Sequence, residues 1–383
     1  MIWKEAFAVV GLTLLFAVLF SAHGGRPPEY AGSEACAECH GEIAANFHGS
    51  NHPRILRTAE QGKREGIVLP DGYDWDDILY VVGGVTKKVR FVDRNGFLLT
   101  TAADGSPAPT QYNLESGRWV DYMAGKRKPY GCGRCHTTGF QEAGNGSSPP
   151  GIQGDWALMG VQCEACHGPA SRHVKYPQIH HLEVDASSAL CGRCHSRGDV
   201  NTLPAKGGFL QHHQQYNEIL AGGHGSLACV DCHDPHSTDP EMSRHSCYSC
   251  HRDRWVAFWR ADPHGRAGLH CVECHMPLAD RSADSPKLWC GDIRTHLFRI
   301  ETGAGAMLTE AADRGRPFVS LDYACLRCHE DRDLEWAKQH GASFHGAAHA
   351  ARRAVSYGGK EPKTPVISGV LGEAAPGIAK PRV

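Results

Sequence analysis

The stretch Cys163-Glu164-Ala165-Cys166-His167 follows the pattern Cys-x-x-Cys-His, and the chain contains this pattern eight times. The other seven copies begin at Cys36, Cys132, Cys191, Cys229, Cys247, Cys271 and Cys325, and we number all eight in chain order as motifs 1 to 8. Together they use 16 of the 17 cysteines in 383 residues. A shuffled chain of this composition would hold only about 0.05 copies, so the repetition has a chemical cause.

The spacing within each motif is the attachment signal of c-type haem. On a helical turn, residues three apart face the same side, so both thiols can reach the two vinyl groups of one porphyrin. The histidine that follows can reach the iron as its proximal ligand. Zinc is the main alternative, because paired Cys-x-x-Cys units also build four-cysteine sites, but zinc would not need a histidine after every second cysteine. The motifs therefore predict eight covalently bound haem c groups.

Each motif assigns its own ligands. The predicted thioether cysteines are Cys36, Cys39, Cys132, Cys135, Cys163, Cys166, Cys191, Cys194, Cys229, Cys232, Cys247, Cys250, Cys271, Cys274, Cys325 and Cys328. The predicted proximal iron ligands are His40, His136, His167, His195, His233, His251, His275 and His329.

The sixth iron ligand decides whether a haem only carries electrons or also binds a substrate. Sixteen of the 25 histidines lie outside the motifs and the N-terminal segment, twice the number that eight distal positions require. A position close to a motif, or in a gap where the histidine has no other obvious role, selects the distal candidates. They are His52, His173, His213, His224, His236, His264, His296 and His345. For the last of these, His340 and His349 are rivals. With only six methionines in the chain, we expect mostly bis-histidine haems of low potential.

The N-terminal residues have the features of an export signal. Residues 6–22 are apolar, Lys4 precedes them, and small residues follow. The stretch is short for a membrane span, yet an uncleaved anchor stays open. We therefore predict a signal peptide or N-terminal anchor over residues 1–24, export to the periplasm or the cell surface, and an optional membrane association through this segment.

The amino-acid composition divides the rest of the chain into two regions. Residues 25–345 hold all eight motifs at irregular spacing among Gly- and Pro-rich segments, which predicts one octahaem domain with short helices. Residues 346–383 are rich in Ala, Gly and Pro and are predicted to be a tail with little structure of its own.

One gap between motifs has a strand pattern. The stretches Ile78–Val82, Lys88–Val92 and Phe97–Thr100 are rich in residues that favour strands, and Asn95-Gly96 is a hairpin turn signal. We expect a small β insert near residues 78–101, within about residues 76–122. The predicted fold is otherwise mainly α with much irregular coil, organised around stacked haems.

The net charge of the chain limits which binding partners are plausible. The chain has 42 acidic against 40 basic residues, which argues against nucleic acid binding. Each ferric haem with ionised propionates adds about −1, so the loaded protein carries about −10 and should meet redox partner proteins through their basic surfaces. We interpret the pair Lys87-Lys88 as a solvated face or as partners of haem propionates. Cys290 lies outside the motifs and is interpreted as a small buried apolar residue.

Several segments resemble a known family. Gly32–Ala35 before motif 1 and Ser50–Pro53 after it resemble multihaem cytochromes c related to the tetrahaem cytochrome of ammonia-oxidising bacteria, as do Tyr80–Gly84 and the sequence around motifs 2 and 3. Gly208–Tyr216 is similar to longer multihaem cytochromes of anaerobic respiration. The resemblance covers roughly residues 32–340. It implies a helical, haem-packed fold, mostly bis-histidine irons, and electron transfer outside the cytoplasmic membrane.

Three functions stay open on this basis. The preferred one is an octahaem electron carrier of anaerobic or extracellular respiration, because no substrate motif is found. The second is an oxidoreductase with one open haem that acts on a nitrogen or sulfur compound of the nitrite, hydroxylamine or tetrathionate type. The third is a self-assembling filament subunit, in which a histidine of one chain binds a haem of the next.

Overall fold

A computed structural model describes residues 29–144, 146, 148–237, 247–303, 306–309 and 314–341. The predicted signal or anchor, the C-terminal tail and His345 lie outside these residues. Helix makes up about 29% and strand about 17% of the structure, so coil predominates. In the described part of the chain, no helix combines the length and the apolar character needed to cross a membrane.

The helices are short because Gly and Pro interrupt the chain between the motifs. They are α1 (Ser33–Ala37), α2 (Gly41–His48), α3 (Ala59–Arg64), α4 (Gly133–His136), α5 (Cys163–His167), α6 (Ser171–Lys175), α7 (Ser188–Gly192), α8 (Gln215–Ala221), α9 (Arg252–Ala261), α10 (Pro263–Arg266), α11 (Cys271–His275) and α12 (Leu334–Gly341). Two further turns are a 3₁₀ turn at Cys229–Asp231 and a π-helical turn at Asp322–Leu326.

A seven-stranded antiparallel sheet occupies the long gap between motifs 1 and 2. Its strands are β1 (Leu56–Thr58), β2 (Ile78–Gly83), β3 (Lys88–Asp93), β4 (Phe97–Leu98), β5 (Gln111–Asn113), β6 (Arg118–Val120) and β7 (Lys128–Pro129). Gly96 makes the turn between β3 and β4 with φ 86°, and a Cβ there would lie 2.6 Å from the amide nitrogen of Ile152. The sheet therefore extends beyond the predicted limits of 76–122, because β1 and β7 are too short to show alternation.

The two faces of this sheet pack into two different cores. Val89 and Phe91 of β3 point into one core, whereas Val92 points with Val82 and Tyr130 into the other. The second core also packs against Cys132, the first cysteine of motif 2. Because side chains alternate along a strand, Lys88 and Arg90 lie on the face that carries motif 2.

The C-terminal half has a third core and only small sheets. The core contains Leu210, Leu297, Met307, Val319 and Tyr323, all of which are buried. The remaining strands are β8 (Thr137–Thr138), β9 (Leu158–Met159), β10 (Ala205–Lys206), β11 (Phe209–Gln211), β12 (Asp280–Arg281), β13 (Leu308–Thr309) and β14 (Arg314–Gly315). β12 runs parallel to β11 and joins the segment after motif 7 to the segment before motif 5.

A buried pair of carboxyl groups lies at this junction. Glu218 on α8 and Asp280 on β12 are both fully buried. Burial, together with the charge of Glu218, raises the pKa of Asp280 well above its usual value. Glu218 accepts hydrogen bonds from the Thr295 hydroxyl at 2.8 Å and from the backbone amide of His296 at 2.6 Å. The pair therefore holds a proton and fixes the loop that carries His296.

We expect Asp280→Asn to reduce the pH dependence of stability. A carboxyl whose pKa is raised by folding stabilises the protein fully below its unfolded-state pKa, and this contribution is lost as the pH rises toward the folded-state pKa. Asn keeps the polar contact without titrating. The thermal midpoint should therefore fall less than in the native protein between about pH 5 and pH 9. Circular dichroism of the haem-loaded protein measures the thermal midpoint at each pH, and the exposed Asp104→Asn serves as control. Equal pH slopes in all three proteins would contradict the shared proton.

Candidate haem sites

All eight motifs adopt a helical turn. In motifs 1, 2, 4, 5, 6 and 8 the histidine amide donates a hydrogen bond to the carbonyl of the first cysteine, at 2.8–3.1 Å. Motifs 3 and 7 form the whole of helices α5 and α11. All 17 cysteines lie in the described part of the chain, and none of them forms a disulfide there. The turn places both thiols and the imidazole where one porphyrin needs them, so these residues fit covalent haem c.

Five motif histidines face a second histidine at nearly the same separation. The ring centroids are 5.9–6.2 Å apart in the pairs His195–His52, His167–His236, His251–His224, His233–His296 and His329–His264. Two imidazoles that bind one metal from opposite sides, each at about 2 Å, have centroids about 6 Å apart. The five partners all belong to the predicted distal set, and their spacing leaves room for a haem iron.

The remaining distal candidates are placed differently. His213 lies 6.4 Å from His195 between ring centroids, and its charge also interacts with His136, so motifs 2 and 4 are both within its reach. The Nδ1 atom of His173 lies 2.7 Å from the carbonyl oxygen of His180, and no motif ring in the described residues lies beside it. His52 follows the end of α2 in a turn, not on a helix.

Burial keeps several of these imidazoles neutral. It lowers the pKa of His136 and of His296 to about 4, and it lowers the pKa of His52, His195 and His233. A neutral imidazole has a free lone pair, which is the form that binds iron. In His275, Nδ1 donates a hydrogen bond of 2.7 Å to the carbonyl of Phe298, so Nε2 is the nitrogen that would bind a metal.

Sequence reasoning missed the groups that orient these ligands. Glu218 holds the backbone of His296 from 78 residues away, and the Phe298 carbonyl fixes His275 across 23 residues. No local pattern marks such contacts, because they form only when the elements after motif 7 pack against α8.

Cysteines of different motifs lie side by side. The thiols of Cys135 and Cys194 interact, as do those of Cys191 and Cys229, and Cys194 Sγ lies 3.9 Å from the carbonyl oxygen of Arg134 in motif 2. Burial and the neighbouring Cys163 raise the pKa of Cys36 to about 11. In the haem-loaded protein these sulfurs would be thioethers that do not titrate. The interactions are therefore used only to show which motifs lie close together.

The other motifs are joined by similar contacts. The charge of Cys166 acts on Cys191 and Cys194, Cys232 interacts with Cys250 and Cys247, and the charge of Cys271 acts on Cys247. Cys274 lies near Cys325 and Cys328. In space the motifs therefore follow the order 1, 3, 4, 5, 6, 7 and 8. Motif 2 joins this line from the side, at motif 4.

We expect His296→Ala to open one iron. Without the His296 imidazole, the iron bound by His233 keeps one strong protein ligand. One ferric haem should therefore become high-spin and should bind carbon monoxide after reduction. Electron paramagnetic resonance of the oxidised protein measures the change, and the exposed His181→Ala serves as control. An unchanged low-spin spectrum in His296→Ala would remove His296 from the ligand set.

Comparisons with known proteins agree on one class. The family model described as cytochrome c554 and c-prime matches residues 109–168, which include motifs 2 and 3. The multiheme cytochrome MtrA of Shewanella baltica (strain OS185) is 26% identical over 149 residues, covering 34% of this chain. The chain spans about 40% of the length of that relative.

Solved structures share the fold over most of the chain. The outer cell wall cytochrome OcwA matches with a TM-score of 0.57 at 18% identity, over 86% of this chain and 92% of its own. The octaheme sulfite reductase MccA of Wolinella succinogenes matches with the same score and identity, over 78% and 65%. The undecaheme S-layer cytochrome of Carboxydothermus ferrireducens matches with a TM-score of 0.53 at 17% identity, over 87% and 62%.

Proposed function

We propose that this chain, a multihaem c-type cytochrome, binds eight haem c groups and carries electrons along them outside the cytoplasm, in anaerobic or extracellular respiration. The predicted thioether cysteines and proximal histidines would hold the eight groups. Each bound haem would supply an iron that alternates between the ferric and the ferrous state.

The observation that carries this proposal is the unbroken series of neighbouring motif cysteines. In haem c the sulfurs are bonded to one edge of the porphyrin, so neighbouring sulfurs bring the edges of two haems close together. Electron tunnelling slows steeply with distance, so close edges favour rapid transfer. The interactions of Cys191 with Cys229 and of Cys247 with Cys271 support transfer through the middle of the line.

The distal histidines support a carrier more than an enzyme. His52, His224, His236, His264 and His296 each face a motif histidine at the separation of a two-ligand iron. An iron with two protein ligands has no position for a substrate. All eight distal assignments, including those of His173, His213 and His345, stay predictions, as does the oxidoreductase alternative.

The setting of the protein is also part of the proposal. We propose one octahaem domain over residues 25–345, export by residues 1–24, and redox partners that dock through basic surfaces. Covalent haem attachment supports export, and the estimated charge of about −10 supports basic partners.

The haem count follows directly from the motifs. The mass of the purified protein should exceed that of the polypeptide by eight haem groups, and the denatured protein should contain one reactive thiol. That thiol is Cys290, which is 7% exposed in the folded chain. Mass spectrometry and thiol titration in denaturant measure both numbers. A second reactive thiol would show that one motif does not bind its haem through both cysteines.

The proposed order of the haems is tested by removing one haem from the middle of the series. Glu335→Cys places a thiol on the exposed side of α12, near motif 8. This thiol attaches the haem-loaded protein to a gold electrode. Fast voltammetry should then reduce every haem of the native sequence. In Cys229→Ser/Cys232→Ser, which lacks the haem of motif 5, only the haems of motifs 6, 7 and 8 should respond at fast scan rates.

The matched control lacks the haem of motif 2. Because motif 2 lies beside the line, Cys132→Ser/Cys135→Ser should lose one haem from the signal and keep the rest. Equal losses in the two variants would contradict the order 1, 3, 4, 5, 6, 7, 8, and a signal from fewer than eight haems in the native sequence would contradict electron carriage through the whole chain.

A further inference from the structure

One side chain inside motif 3 binds the chain that leads into motif 1. Glu164 follows the first cysteine of motif 3, and the other seven motifs have no charged residue at that position. Its side chain is buried. Oε1 accepts hydrogen bonds from the amides of Ala31 at 2.8 Å and Ala170 at 2.7 Å, and Oε2 accepts one from the amide of Gly32 at 2.9 Å. One carboxylate therefore joins motif 3 to the segment before motif 1 and to the segment after motif 3.

This carboxylate does not cap the turn of its own motif. Helix α5 begins at Cys163, and all three amides that bond to Glu164 in the described part of the chain lie outside α5. Ala31 and Gly32 come 133 and 132 residues earlier in the chain. A carboxylate is costly to bury unless its oxygens accept hydrogen bonds, and these three bonds account for its burial. Glu164 thus acts between motifs.

Further hydrogen bonds run beside those of Glu164. The hydroxyl of Ser33, the first residue of α1, donates to the Gln162 side chain at 2.6 Å and accepts from the amide of Cys163 at 3.4 Å. The amide of Glu29 donates to the Ser171 hydroxyl at 2.8 Å, and the Ser171 amide donates to the carbonyl of Glu29 at 3.0 Å. The first turn of α1 is therefore docked against α5.

This junction fixes the attachment point of the motif 1 haem. Cys36 follows Ser33 by one turn of α1, so a shift of the start of α1 would move Cys36 with it. The thiols of Cys36 and Cys163 interact across the junction. The attachment edges of the motif 1 and motif 3 haems would therefore be neighbours, and their separation depends on how α1 is docked.

We propose that Glu164 is a positioning residue that sets the spacing between the haems of motifs 1 and 3, and thereby the rate at which electrons pass between them. The inference rests on the proposed electron carriage and deepens it, because it assigns control of one step to one side chain. A carboxylate suits this role, since both of its oxygens accept hydrogen bonds and can hold amides on two sides. A carboxamide of the same shape has one acceptor oxygen, and its NH₂ group would face an amide donor.

Voltammetry of the haem-loaded protein attached through Glu335→Cys tests the proposal, because motif 1 lies at the end of the line farthest from the electrode. In Glu164→Gln, the signal should lose the haem of motif 1 at a scan rate at which the unsubstituted sequence still shows all its haems. Ser33→Ala removes another bond of the same junction and should slow the same step. At slow scan rates every variant should show all its haems, which separates a slower step from a missing haem.

The matched control is Glu34→Gln, because Glu34 is exposed on α1 next to Ser33. It removes the same charge near motif 1 and should leave the response of every haem unchanged. Equal slowing in Glu34→Gln and Glu164→Gln would overturn the proposal, since charge and not docking would then set the rate. If Glu164→Gln does not retain its haems, Ser33→Ala decides the question.

The outcomes also separate this inference from the proposed function. A motif 1 haem that responds equally fast in Glu164→Gln, in Ser33→Ala and in the unsubstituted sequence would overturn the positioning role and leave electron carriage intact. A signal from fewer than eight haems in the unsubstituted sequence at slow scan rates would instead overturn carriage through the whole chain, and the positioning role with it.

Discussion

The hydrogen bond from the motif histidine to the first cysteine is the constraint on which the structure depends. It closes one helical turn, so that two thiols and an imidazole point to the same side. Eight such turns can each fix one porphyrin by two covalent bonds and one iron ligand. The chain between motifs then only has to reach from one turn to the next, which explains the short helices and the predominance of coil.

Contacts between distant segments complete the haem sites. The Glu218–Asp280 pair fixes the loop of His296, and the carbonyl of Phe298 sets the tautomer of His275. They hold imidazoles at a spacing of about 6 Å from their partners, which is the separation that a two-ligand iron requires.

The large sheet has a separate role. It packs one face against motif 2 and brings Lys88 and Arg90 to that motif through the alternation of β3. Motif 2 therefore differs from the motifs of the main line in two respects, its side position and its cationic surroundings. Both follow from the insertion of a sheet between motifs 1 and 2.

The sequence by itself determined the class of protein and most of the hairpin, and it predicts the attachment residues. Each of these is encoded locally, in five residues of a motif or in the Asn95-Gly96 turn, and the comparisons confirm the multihaem class. Five distal candidates also face motif histidines. The outer strands β1 and β7 and the orienting role of Glu218 had no local signal. Only the tertiary structure decided which histidines face each other, in which order the motifs meet, and which amides Glu164 binds, because these relations join residues that are far apart in the chain and close only after packing.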